Sequence, residues 1–166
     1  MATLEINSKT YGQIYAKVDD QDYEKIKDYK WSANYNKKSR KYYVRCANLD
    51  GRKNVYLHRY ICEIHRMDVT NFNCDHINNN TLDNHSSNLR PSTYSENSMN
   101  SLKRSGASSI FKGVSWNKLC SKWMTQIQVD RKKIYIGLYE TQTGAAIAFN
   151  EAAKKYHGEF AYLNAV

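Results

Sequence analysis

The sequence predicts an α+β protein that is built from two modules. Residues 43–59 and 122–140 contain apolar side chains that alternate with polar ones, which is typical of half-buried strands. A helical pattern follows the second set of strands, over residues 141–158. The polar segment "NSLKRSGASS", Asn100 to Ser109, separates the two halves, and we interpret it as a linker. The predicted modules are therefore residues 1–104 and 105–166.

The first module contains a predicted hairpin. In "YVRCANLDGRKNVYLHR" two alternating runs flank the dipeptide Asp50-Gly51, which favours a tight two-residue turn between paired strands. The basic segment "NYNKKSRKYY" precedes this hairpin, and we predict that it forms a loop.

The composition is that of a folded, soluble protein. Hydrophobic residues make up 41% of the 166 residues, which is enough to form buried hydrophobic cores. No apolar run approaches the length of a membrane span, and the N-terminus lacks the pattern of a signal peptide. We therefore expect no membrane partner and a cytoplasmic location. The spacing of the four cysteines fits no zinc motif, and a cytosolic setting would keep them reduced, so we predict that they are small buried side chains. They are Cys46, Cys62, Cys74 and Cys120.

The charge balance indicates a polyanionic partner. The net charge is +9 and the isoelectric point is about 9.3. The excess of Lys and Arg lies in residues 1–57 and 105–166, whereas residues 58–104 are balanced. Two basic flanks around a neutral middle are expected if the flanks bind phosphates while the middle performs chemistry. The oligomeric state stays open at this stage.

The middle segment "CDHINNNTLDNHSSNLRPSTYSEN" is rich in Asp, His and Asn. A short apolar strand is predicted to end at Asp75 and His76, and "NLRPS" is predicted to return beside it after a loop. A helix then begins after the capping box that Thr93 and Glu96 form.

This order of elements would bring Asn97, in the first helical turn, against Asp75 and His76. Carboxylate and amide oxygens are the ligands that Mg²⁺ prefers, and Mn²⁺ is the alternative. The imidazole of His76 is then available as a base.

The same residues resemble the HNH endonuclease family. The stretches "LHRYI", "CDHINNNTLDNHSSNLR" and "SENSMN" are similar to the form found in phage and intron homing endonucleases, with its ββα-metal fold. The resemblance implies that His76 is the general base, that Asp75 and Asn97 bind a divalent metal ion, and that Asn88 holds the loop.

Two further histidines belong to this pattern. The family usually has Arg where this chain has His85, so a phosphate or structural contact is either missing here or supplied more weakly by His85. His58 opens "LHRYI", where we expect it to pack against and orient the site, with an accessory contact as the alternative.

The second module resembles the APETALA/ethylene-response-factor DNA-binding domain of plant transcription factors, which also occurs fused to phage HNH nucleases. The resemblance, carried by "FKGVSWNK" and the strands and helix that follow it, implies a three-stranded antiparallel sheet packed on one helix, with the sheet in the major groove of DNA. We expect Arg131 to neutralise phosphates beside the positions that match its DNA contacts. These are Lys112, Ser115, Asn117, Gln126, Gln128, Lys133 and Tyr135.

Together these features predict a homing-type, metal-dependent endonuclease that hydrolyses phosphodiester bonds in double-stranded DNA. If it is phage-encoded, it acts in the bacterial cytoplasm. The alternative is a non-catalytic DNA-binding transcriptional regulator that retains the HNH scaffold. The complete set of Asp75, His76 and Asn97 favours the enzyme.

Overall fold

The structure is a computed structural model that describes residues 2–103 and 106–166. It contains four antiparallel sheets and several helices, so the predicted α+β class is confirmed. Arg104 and Ser105, in the predicted linker, lie outside the described residues. The chain divides into two compact units, one ending at Thr93 and the other beginning at Tyr94. In the described parts of the chain, no helix has the length and apolar character needed to cross a membrane.

The described residues of the first unit contain three sheets, two α-helices and a 3-10 helix at Ser86–Asn88. The strands pair as a two-stranded sheet, a three-stranded sheet in the order β3-β4-β5, and a second two-stranded sheet. The elements in chain order are β1 Ala2–Ser8, β2 Gly12–Val18, α1 Asp20–Ile26, β3 Trp31–Asn36, β4 Lys41–Leu49, β5 Arg52–Tyr56, α2 Leu57–Ile64, β6 Asn73–His76 and β7 Leu89–Ser92.

The core of the first unit lies between these sheets and α2. Alternate side chains of the strands are buried, as the period of two requires. The fully buried side chains include Ile6, Val18, Ile26, Val44, Leu49, Leu57 and Ile61. Cys46, Cys62 and Cys74 are also buried, whereas Cys120 is exposed, which corrects the prediction for that residue. Cys120 lies in a turn whose backbone is bound by the side chain of Asn117, so its side chain stays at the surface.

The β4–β5 hairpin has the turn that its sequence predicts. Asp50 and Gly51 have φ angles of 51° and 80°, the left-handed values that a type I′ turn requires at both positions. The loop predicted for residues 34–43 is wrong, because most of this segment forms the facing ends of β3 and β4. Asn36 Oδ1 accepts hydrogen bonds from the amides of Lys38 and Ser39, which closes a short turn without any glycine.

The second unit is a three-stranded antiparallel sheet with helices. Its elements are α3 Tyr94–Asn100, β8 Val114–Asn117, β9 Lys122–Val129, β10 Lys132–Tyr139 and α4 Gln142–His157. The Oγ1 atom of Thr141 caps α4 by accepting from the amide of Gly144, and the helix ends at Gly158, where φ is 54°. The face of α4 packed on the sheet buries Ala145, Ala146, Phe149 and Ala153.

Helix α3 belongs to the second unit, whereas the sequence analysis assigned it to the first module. Its attachment is the ammonium of Lys112, which donates to the carbonyl oxygens of Met99 and Ser101 at 2.6 Å each and of Ser98 at 3.5 Å. The last carbonyls of a helix have no partner within the helix, so one cation can satisfy several of them. The backbone of Lys112 is held in turn by the side-chain amide of Asn164.

Candidate functional site

Asp75 and His76 end the strand β6, and both are buried. They are covered because β6 pairs with β7 and α2 packs against this pair. The loop between the two strands carries the Asn- and Asp-rich sequence. The local pairing therefore places these two consecutive residues at one end of a short, covered hairpin.

The imidazole of His76 contacts the buried side chain of Asn84. Its Nε2 atom lies 3.3 Å from Oδ1 of Asn84, which is itself only 1% exposed. Burial lowers the pKa of His76; the hydrogen bond to Asn84 and the charge of Asp75 oppose this shift, and the charge of Lys41 adds to it. The imidazole is therefore neutral at neutral pH, which is the state that a general base needs.

Asp75 is neutralised by a cation from the facing strand. Arg90 is the cross-strand partner of Asp75 and donates from Nε at 3.1 Å and from Nη2 at 2.9 Å to its Oδ2 atom. Such paired donors fix the orientation of a carboxylate. Lys41, on β4, donates to the carbonyl of Asn79 at 2.9 Å, and burial lowers its pKa although Asp75 opposes that shift.

His58 lies beside His76. It is in the first turn of α2, and the two ring centroids are 5.1 Å apart. Burial, with smaller contributions from His76 and Arg59, lowers the pKa of His58 to about 3. His58 is thus uncharged near neutral pH and contacts His76 as a neutral aromatic ring.

Asn88 and His85 are both held within the loop. The side chain of Asn88 accepts from the amide of Asn78 at 3.0 Å and donates to the carbonyl of Asp83 at 2.7 Å. His85 places Nδ1 2.6 Å from Asp83 Oδ1, and its Nε2 is buried with no partner among the described residues. His85 is therefore directed to an aspartate, and this geometry assigns it no phosphate contact.

A polar sheet face adjoins His58. Directly opposed residues of antiparallel strands share one face, and the pairs Asn34–Tyr43, Asn36–Lys41 and Arg45–Tyr56 belong to the β3-β4-β5 sheet. None of these six side chains is acidic. The rings of Tyr43 and Tyr56 lie 5.8 and 5.6 Å from the His58 ring, so this basic, aromatic face continues to the imidazole pair.

A group that could hold a metal ion lies elsewhere in the first unit. One ligand atom each from Asp19, Asp22 and His65 lie within 4.8 Å of one another. Asp22 is already paired with His65 at 2.7 Å and with Lys25 at 3.4 Å, and Asp19 accepts from the amide of Ser86. The group is therefore stable as a hydrogen-bonded cluster, and it is not the predicted set of Asp75 and Asn97. His65 is half-buried in this cluster.

The predicted second metal ligand is on α3. Asn97 is half-buried and belongs to the second unit, whereas Asp75 belongs to the first. Their pairing as ligands stays a prediction that the resemblance supplies.

The predicted DNA-contacting residues share one face of the second sheet. Gln126 opposes Tyr135, and Gln128 opposes Lys133, so these four side chains project from the face opposite to α4. Gln128, Lys133 and Tyr135 are exposed, as is Arg131, while Gln126 is half-buried. Ser115, opposite Met124, lies on the same face.

Lys112 and Asn117 have other contacts. Asn117 Oδ1 accepts from the amides of Leu119 and Cys120 in the β8–β9 turn. Lys112 binds the end of α3, and burial lowers its pKa to about 8. His157 is buried and has its Nε2 2.9 Å from the carbonyl oxygen of Gln128.

A cleft of about 560 Å³ lies within the second unit. Met99 and Leu102 line it from α3 and the segment that follows, and Gln128, Arg131 and Lys133 line it from the sheet. The sheet face that carries the predicted DNA-contacting residues is therefore bordered by α3. The sequence did not indicate this.

Sequence reasoning missed three residues of the site, namely Lys41, Asn84 and Arg90. Arg90 has the clearest sequence signal, because the "NLRPS" strand was expected to return beside "CDH" and a cation there would face Asp75.

No family model matches the chain, and no solved structure matches it significantly.

Proposed function

We propose that the protein is a metal-dependent DNA endonuclease of the homing type, with His76 as its general base and the second unit as its targeting module. The observation that carries this proposal is the buried imidazole of His76, whose pKa is lowered by burial, at the strand end that also carries Asp75. A basic, acid-free sheet face leads to these residues, which suits a polyanionic substrate.

In the proposed mechanism, His76 accepts a proton from a water molecule that attacks a DNA phosphorus atom. Asp75 is held by Arg90 in one orientation, so its carboxylate is positioned before the substrate arrives. Lys41 and Arg45 are the cations on the sheet face that bind the phosphates flanking the scissile bond.

A hard divalent cation suits this donor set. The carboxylate of Asp75 and the amide oxygen of Asn97 are oxygen ligands, which Mg²⁺ prefers, and Mn²⁺ is accepted by the same atoms. Such an ion supplies stabilisation for the charge that develops on the phosphate and on the leaving 3′ oxygen. Asp75 would supply the ligand from the first unit, and the resemblance implies that Asn97 would supply another.

The substitution Asp75→Asn tests the metal role. It keeps the shape of the side chain but replaces a charged ligand with a neutral one, so the Mg²⁺ concentration for half-maximal cleavage is expected to rise about tenfold or more. The measurement is the cleavage rate across a Mg²⁺ titration. Asp28→Asn, which removes an exposed charge from the same unit, is the control and is expected to leave the titration unchanged. Equal titrations for both variants would contradict the assignment.

A second test concerns how the sheet of the second unit reads DNA. Gln126 and Gln128 can form hydrogen bonds with base edges. Replacing either with Ala is therefore expected to reduce the binding free energy by about 1–3 kcal/mol on the preferred site and by much less on random DNA. Lys133 contacts phosphate in this proposal, so Lys133→Ala is expected to weaken both complexes and to reduce the slope of log affinity against log salt by about one.

The measurement is a salt titration of binding to target and random duplexes. Lys154→Ala, on the exposed side of α4, removes the same charge away from the sheet face and is the control. If the Gln variants lose affinity for both duplexes equally, the sheet face is not the sequence reader.

The second candidate function is a non-catalytic DNA-binding regulator. It shares the binding surfaces but does not require a neutral imidazole next to a positioned carboxylate. DNA binding with no cleavage in the presence of either Mg²⁺ or Mn²⁺ would favour the regulator.

A further inference from the structure

We propose that the cleft between α3 and the sheet of the second unit binds one unpaired nucleotide. The α3 side of the cleft takes the base, and the cations at the β9–β10 turn take the phosphate. The occupant is either a free mononucleotide or a nucleotide that has left a DNA duplex, because both present the same base and phosphate. The inference goes beyond the proposed function, since it requires neither cleavage nor the reading of paired DNA.

The cleft has the size of a small-ligand site. Its volume is about 560 Å³, which lies within the range of about 300–1,000 Å³ that is typical of ligand pockets. All the described residues that line it belong to the second unit, so that unit alone determines its shape. The buried side chains of Ile127 and Phe149 contribute apolar surface to the lining.

The α3 side of the cleft suits the face of a base. Tyr94, the first residue of α3, lines the cleft and is 85% exposed. Met99 and Leu102 add a thioether and an aliphatic side chain to the same side. Exposed aromatic rings bind unpaired bases by stacking, and every base can stack because each has a π face. This side of the cleft therefore offers a stacking surface that has no partner of its own class in the duplex-reading sheet face.

The sheet side of the cleft suits a phosphate. Arg131, in the β9–β10 turn, and Lys133, in β10, line the cleft and are exposed. Neither side chain has a hydrogen bond or an ion pair among the described residues. Lys103 is a third cation of the lining, and Asp130 is the one acidic residue among the described residues that line it. Even without Lys112, whose ammonium is bound to α3, the charge balance favours an anion.

The edge of a base finds a polar partner in Gln128. This residue is exposed, lines the cleft and projects from the same sheet face as Lys133. Its amide has both donor and acceptor groups, which is the combination that base edges require. A nucleotide uses the ring, the amide and the cations together, whereas inorganic phosphate uses only the cations.

The test titrates the full-length protein with dAMP in EDTA, so that no metal-dependent cleavage occurs. Tyr94→Ala removes the stacking surface and is expected to weaken dAMP binding about tenfold. Tyr94→Phe keeps the aromatic ring and is expected to bind dAMP as wild type does. Tyr156→Ala removes an equivalent ring from α4, at a residue that is 39% exposed and outside the cleft, and it is expected to leave binding unchanged.

A second pair of variants tests the cleft independently of Tyr94. Leu102→Glu places a negative charge in the cleft, at a residue that is 46% exposed, and is expected to weaken dAMP binding about tenfold or more. Leu163→Glu makes the same change at a residue that is 44% exposed and outside the cleft, and it is expected to have no effect. This pair decides the matter if Tyr94→Ala does not fold.

A DNA arm distinguishes the two sources of the nucleotide. It compares a fully paired duplex with a duplex that carries one extrahelical dA. Tighter binding of the second duplex, lost in Tyr94→Ala, assigns the site to an unpaired nucleotide of DNA. Equal affinity for the two duplexes, together with dAMP binding, assigns it to a free nucleotide.

Three results would overturn the inference. The first is no binding of dAMP together with equal affinity for the two duplexes. The second is inorganic phosphate that binds as tightly as dAMP, which would make the cleft a simple anion site. The third is equal loss of dAMP binding in Leu102→Glu and Leu163→Glu. Absence of DNA cleavage by wild type would remove the proposed function but would leave nucleotide binding by the cleft standing.

Discussion

His76→Ala is expected to lower the rate of DNA cleavage by about 10²–10⁴-fold, which is the usual value of a positioned general base. DNA affinity is expected to stay near that of wild type, because the side chain is only 6% exposed and the basic surfaces are unchanged. The measurement compares single-turnover cleavage with binding in a gel shift.

His58→Ala provides the comparison for this result. It removes the neighbouring ring, which is neutral and has a pKa of about 3, so it is expected to reduce cleavage far less than His76→Ala. If the two variants are impaired equally, packing around the imidazole pair explains the loss, and His76 is not the base.

Gly113→Ala is expected to have the largest effect on stability. Gly113 has a φ of 76°, and an added Cβ would lie 2.0 Å from Cδ2 of Phe149 and 2.8 Å from the carbonyl oxygen of Gln126. Both the ring and the backbone would have to move. The overpacking together with the left-handed backbone is expected to destabilise the second unit by about 3 kcal/mol or more.

Gly106→Ala separates the two causes. Gly106 also has a positive φ, 83°, but nothing lies within 4 Å of an added Cβ. The free energy of unfolding of this variant is expected to fall by about 1–2 kcal/mol, from the backbone conformation alone. Urea denaturation of each full-length variant gives the comparison. Equal midpoints for the two variants would show that the close approach of Gly113 to Phe149 does not contribute.

The elements that were predicted correctly have local signals. The hairpin at Asp50-Gly51 and the helix from Thr141 to Gly158 are each specified by residues at their own ends. The β3–β4 hairpin was missed because its turn contains no glycine and instead uses the side chain of Asn36 and a positive φ at Arg40. Such a turn has no dipeptide signal that distinguishes it from a basic loop.

The boundary between the units depends on a contact that no local pattern reveals. Lys112 matches a DNA-contacting position of the resembling family, and its charge suggested a phosphate partner. In the structure three carbonyl oxygens at the end of α3 accept its protons. That contact joins segments that the predicted linker separates in sequence.

The candidate site was predictable in part. Asp75 and His76 end an apolar run, so their place at a strand end followed from the sequence. The loop after them contains several Asn residues, and the one that faces His76 is determined by hydrogen bonds between the loop and Lys17 on β2. Because that contact is distant in sequence, the place of Asn84 beside His76 required the structure.

Incubation of supercoiled plasmid with wild type and with His76→Ala, each in Mg²⁺ and in EDTA, tests the central claim most directly. The proposed endonuclease predicts nicked or linear DNA only for wild type in Mg²⁺. Cleavage that continues in EDTA, or that is undiminished in His76→Ala, would contradict the proposal.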